Sequence, residues 1–101
     1  MFALSDSGTG CRIDLLPVMD LRAAGPFKGI LEQAIGRGVE VTIAAADVER
    51  LSTPCIQVLL AATAAMEKGG IAFRIVGPTD AFISAFDDLG LFPVIMKWKV
   101  E

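Results

Sequence analysis

Histidine is absent from this chain of 101 residues, and cysteine occurs only twice, at Cys11 and Cys55. A His-based catalytic triad is therefore excluded, and a zinc site or a thioredoxin-type redox pair is disfavoured, since neither cysteine belongs to a Cys-x-x-Cys spacing. Basic residues are also few and scattered: nine against twelve acidic ones, for a net charge of -3. No basic stripe is available to neutralise the phosphates of a nucleic acid, so DNA and RNA are not expected partners. Although 53 % of the residues are hydrophobic, no apolar run reaches the roughly 18 residues of a membrane span. The start, Met1-Phe2-Ala3-Leu4-Ser5-Asp6, has no basic segment followed by a long apolar one, so no secretory signal and no membrane insertion are expected. A single domain over residues 1–101, located in the cytoplasm, is the expectation that follows.

What is present alternates between two periodicities. Cys11 to Val18 reads as a strand that Pro17 ends, preceded by the turn cluster Ser5 to Gly10 and by Phe2 to Leu4 as a returning strand. Leu21, Phe27, Leu31, Ala34 and Ile35 recur at helical spacing behind Asp20, a good N-cap. Pro26 interrupts that pattern, so the regular helix is predicted to begin at Gly25-Pro26 and to stop at Gly36-Arg37-Gly38. Val39, Val41 and Ile43 alternate with Glu40 and Thr42 and run on into Ala44-Ala45-Ala46, the best candidate for a central, buried strand.

After Leu51, Thr53 suits an N-cap and Pro54 the first helical position, with Ile56, Leu59, Leu60, Thr63 and Met66 on one face until Gly69-Gly70. Ile71 to Val76 reads as a strand, Gly77-Pro78-Thr79 as a turn and helix start, and Phe82, Phe86 and Leu89 recur at helical intervals until Gly90. The tail Val94 to Val100 alternates apolar residues with lysine and reads as a protected edge strand. This order predicts an α/β fold: a mixed, mostly parallel sheet of four to five strands with about three helices, joined by right-handed crossovers.

Val18-Met19-Asp20-Leu21-Arg22-Ala23-Ala24, Val39 to Ile43 with Asp47-Val48, Leu51 to Leu60, Phe73 to Val76 with Pro78-Thr79, and Leu89-Gly90-Leu91 together resemble the STAS domain family, which includes bacterial anti-anti-sigma factors. The form Leu-Pro-Val-Met-Asp-Leu-Arg-Ala-Ala with Thr-Pro-Cys-Ile-Gln-Val-Leu-Leu-Ala-Ala is most similar to short bacterial STAS proteins of chemotaxis systems. The resemblance implies a domain that docks on proteins without a reaction of its own. It also implies a Ser or Thr at the start of the second helix that a partner kinase phosphorylates, a position that falls on Thr53. Asp20 matches an acidic residue near that acceptor. The chain departs from the family pattern at Ser52, where an Asp is common, at Cys55, where a glycine is common, and at Ala44, where another Asp is common.

Each candidate has a plainer reading beside the functional one. A phosphate on Thr53 would meet free backbone N–H groups and the positive end of a helix dipole, but Thr53 also serves as a simple cap. Ser52 is a second phosphoacceptor candidate whose hydroxyl is expected to bond to the turn backbone. Cys55, in the first turn, invites a reactive-thiol reading, but without histidine a packed small side chain is the better account of both cysteines. Gly8-Thr9-Gly10 lacks the Gly-Lys-Ser/Thr of a phosphate loop and reads as a hairpin turn. Asp87 and Asp88 oppose the dipole at a helix end and read as solvated charge or as a contact for a basic partner. Trp98 and Phe92 offer a lid on the core or a homodimer patch.

The expected function is a non-catalytic regulator, similar to an anti-sigma factor antagonist. It would bind a protein kinase, such as a chemotaxis histidine kinase, or an anti-sigma-like protein through Asp20, Ser52, Thr53 and Gln57. No metal and no cofactor are expected. The alternatives are a constitutive STAS subunit of a lipid-transport ABC assembly and a small-molecule binder in which Cys55 reacts.

Overall fold

The computed structural model describes residues 2–8 and 10–101; Met1, and Thr9 at the tip of the turn read over Gly8-Thr9-Gly10, lie outside them. The chain runs β1 (Leu4–Ser7), β2 (Gly10–Asp14), β3 (Val18–Met19), α1 (Leu21–Gly36), β4 (Val41–Ala44), β5 (Arg50–Leu51), α2 (Thr53–Lys68), β6 (Phe73–Val76), α3 (Asp80–Asp87), α4 (Phe92–Met96) and β7 (Lys99–Val100). The five-stranded sheet has the order β1-β2-β4-β6-β7, and only the β1–β2 hairpin is antiparallel. β4 is thus central, as its alternation predicts, and it is buried along its whole length. The strand stops at Ala44, however, and Ala46 is exposed rather than continuing the buried run.

One face of the sheet carries Cys11, Ile13, Val41, Ile43 and Ile75 into a single cluster with Phe27 and Leu31 of α1, Ile56 and Leu59 of α2, and Phe82 and Phe86 of α3. Alternate residues take the other face, where Ser5, Arg12, Thr42, Arg74 and Lys99 stand in one row across all five strands. Arg74 spans this open face, pairing with Glu40 at 3.4 Å and Glu101 at 3.1 Å and donating to the Thr42 hydroxyl at 3.2 Å. Gly10 is fixed by close approach of the strands, since a Cβ there would run into the Glu40 carbonyl oxygen.

Three sequence expectations are corrected. α1 is continuous through Pro26 and begins at Leu21, so Asp20 caps the whole helix. Its carboxylate accepts from the backbone N–H of Arg22 and Ala23, while Ala23, Phe27, Leu31 and Ala34 anchor one face across the proline. Packing there outweighs the missing bond. The tail is a short helix before it is a strand: Pro93 sits in the first turn of α4, and only Lys99–Val100 joins the sheet, alongside β6. That makes four helices among the described residues. Finally, the reading of Cys11 to Val18 as one strand divides at Leu15 to Pro17, because Val18–Met19 pairs with Arg50–Leu51 in a separate two-stranded ladder.

Candidate functional site

That small ladder builds the site. β3 and β5 run parallel with Val18 opposite Arg50 and Met19 opposite Leu51. The next residues along each strand, Asp20 and Ser52, are the N-caps of α1 and α2. Two helix starts, whose caps Asp20 and Ser52 stand 32 positions apart in sequence, are thereby set side by side. The Ser52 N–H donates to the Met19 carbonyl at 2.8 Å, which holds Ser52 extended (φ -82°, ψ 159°). Its own carbonyl accepts from Ile56 N at 3.0 Å, the first bond of α2. A third tie is the Cys55 thiol, which donates to the Asp20 carbonyl at 3.3 Å.

The cap assignment read from the sequence shifts by one residue. Ser52, not Thr53, is the N-cap, because the ladder bond keeps Ser52 in strand geometry; Thr53 and Pro54 open the helix. Ser52 also fails the expectation that its hydroxyl bonds to the turn, since the buried oxygen has no hydrogen-bond partner. Thr53, by contrast, is exposed. Of the two phosphoacceptor candidates, the exposed one is Thr53. Gln57 is exposed one helical turn further on, beside a groove between α1 and α2 lined by Ala24, Lys28, Pro54, Gln57, Val58 and Ala61.

The electrostatics of the two helix starts differ. At Asp20, the Arg22 guanidinium bonds the carboxylate at 3.2 Å and holds its pKa below the usual carboxylate value. The backbone N–H groups of Ala23 and Arg22 act in the same direction, against a desolvation that favours the neutral acid. At α2, burial pushes the Cys55 thiol up; the nearby Ser52 hydroxyl, although outside hydrogen-bonding geometry, opposes this, and the Asp20 carboxylate adds to it. A protonated thiol with no exposed surface is unsuited to nucleophilic attack. Its role in the corner is to pin α2 to the Asp20 turn.

Sequence reasoning missed the apolar part of this surface. Val18 is 45 % exposed and Leu21 is 70 % exposed, on either side of the Asp20 cap. Two exposed aliphatic side chains flanking one helix cap form a small apolar patch beside the start of α2. Its signal in the sequence was weak, because Leu21 also fits the helical apolar pattern and was read as core. Among the described residues, no cluster of His, Cys, Asp and Glu could hold a metal ion. No helix among them is long and apolar enough to cross a membrane.

Comparison with known proteins adds the following. A family profile described as "Mlab, STAS domain" matches residues 2–93. No curated protein sequence matches. Among solved structures, the anti-sigma factor antagonist SpoIIAA in its unphosphorylated form is similar with a TM-score of 0.74 and 17 % identity, over 92 % of this chain and 84 % of that one. A Thermotoga maritima protein, a candidate anti-sigma factor antagonist, is similar with a TM-score of 0.74 and 15 % identity, over 98 % of this chain and 84 % of that one. At these identities the likeness establishes the fold.

Proposed function

The chain belongs to the STAS domain family, and from that premise we propose that it is a non-catalytic docking regulator of the anti-sigma factor antagonist kind. Its contact surface is the corner formed by Asp20, Ser52, Thr53 and Gln57, with Val18 and Leu21 as apolar anchors. The partner is a protein kinase or anti-sigma-type protein, and a kinase of a chemotaxis system is the narrower form of this reading. The observation that carries it is the pairing of an exposed Thr53 with a buried Ser52 hydroxyl at the start of a sixteen-residue helix. Only the threonine is open to a kinase. A phosphate there would add about -1.5 to -2 charges to a corner that already carries the Asp20–Arg22 ion pair and the exposed Val18 and Leu21 side chains. That the structural neighbour SpoIIAA is described in its unphosphorylated form supports a phosphorylation switch for a domain of this kind.

A second reading, a permanent subunit of an ABC-type transport assembly, rests on Cys55. Where the family often has a flexible glycine, this chain has a buried side chain tying α2 to the Asp20 turn. A rigid corner of this type suits a contact that is never released. Affinity purification from the source cells separates the two readings. Recovery of a kinase that labels Thr53 with phosphate, mapped by mass spectrometry, supports the first; recovery of an ABC ATPase with Thr53 unlabelled supports the second. Loss of neither partner on Asp20→Lys or Leu21→Asp substitution would remove the corner as the contact surface.

A further inference from the structure

The far end of α3 holds a surface that the docking corner does not use. Leu89, Phe92 and Met96 are 46 %, 39 % and 70 % exposed, three large apolar side chains within eight residues. Phe92 and Met96 are one turn apart on α4, so they share a face. Asp87 and Asp88 lie just ahead of this face and Lys97 just beyond it, with Lys99 two residues further; all four are exposed. Among the described residues none of the four takes part in an ion pair. Within the chain the two aspartates are mildly unfavourable, because they stand at the negative end of the α3 dipole. The fold itself gives no reason for them.

We propose that this surface is a homodimer interface in which α4 of one copy packs antiparallel against α4 of a second. A charge pattern that is acidic at one end of an apolar patch and basic at the other complements itself under a twofold rotation. Asp87 and Asp88 of each copy then meet Lys97 of its partner, with Phe92 and Met96 at the centre. A peptide or a foreign protein would need a matching pattern; a second copy has it by construction. The profile match ends at residue 93, ahead of Met96 and Lys97. The docking corner remains free in such a dimer: the loop leading to β5 touches α3 at its opposite end, where the Thr79 hydroxyl donates to the Val48 carbonyl at 2.7 Å. Two corners on one particle would raise the apparent affinity for a clustered partner without any new contact.

A patch of this size makes a weak dimer, with Kd on the order of 10–100 µM. Sedimentation equilibrium of the full chain is the test. Association should weaken at least about tenfold in Lys97→Glu, in the double variant Asp87→Lys/Asp88→Lys, and in Met96→Gln, none of which alters a buried residue. An equimolar mixture of Lys97→Glu with Asp87→Lys/Asp88→Lys should dimerise again, since every cross-subunit pair is then opposite in sign. A chain that stays monomeric at millimolar concentration, a dimer insensitive to these changes, or a mixture that fails to re-associate would overturn the proposal.

Discussion

The two helix starts at the corner are neighbours in space and opposites in chemistry. α1 begins under a carboxylate that satisfies two backbone N–H groups and holds a guanidinium; α2 begins under a hydroxyl that satisfies nothing. Natural folds leave few buried polar atoms without partners. The difference teaches that the α1 start is closed by its own cap, whereas the α2 start keeps a buried hydroxyl without a partner next to the exposed Thr53.

That comparison breaks most sharply at Thr53. Thr53→Glu, placed at the positive end of α2, should leave the fold intact and reduce affinity for the docked partner on the order of a hundredfold, read by calorimetry with the purified partner. An unchanged affinity would place the contact elsewhere. Asp20→Ala should act in the opposite sense, lowering the melting temperature by about 5 °C in a thermal scan through loss of the α1 cap.

The pH dependence sharpens the same point. Because the folded pKa of Asp20 is depressed, its stabilising effect is complete above the ordinary carboxylate pKa and disappears as pH falls through the lower folded value. The melting-temperature gap between the native chain and Asp20→Asn should therefore be widest near neutrality and close in acid. The smallest effect is expected at Ser52. Ser52→Ala removes an unpaired buried oxygen, so its stability in denaturant should stay within about 0.5 kcal/mol of the native chain or rise slightly.

Much of this was legible in the sequence, for reasons specific to each element. β4 announces itself because Val41 and Ile43 are β-branched and alternate with polar residues; α2 does so because its apolar face repeats over sixteen residues before two glycines. Asp20 was readable as a cap, but Pro26 masked the continuity of α1, since propensity is local and the packing of Phe27 and Leu31 is not. In the tail, alternation of lysine and apolar residues competed with a second pattern: Leu91, Val94, Ile95 and Trp98 at helical spacing. The second pattern determines the structure, with Ile95 buried and the Trp98 ring edge-on to Phe73 and Phe86 at 5.7 and 5.4 Å.

The least legible element was the one that makes the site. A ladder of two residues on each side has no periodicity to detect, and its partners lie some thirty positions apart. The misplaced cap followed directly, because only the ladder bond from Ser52 to Met19 decides which hydroxyl residue stays extended and which enters the helix.

Successive residues leaving a strand point to opposite sides. The parallel register of Val18 with Arg50 and Met19 with Leu51 therefore acts as a selector between two adjacent hydroxyls. Slippage of that pairing by a single step would turn serine outward and draw threonine in, exchanging a secondary alcohol for a primary one at the exposed start of α2. Four residues of backbone, and no side chain of their own, thus decide the chemical identity that the protein shows to its surroundings.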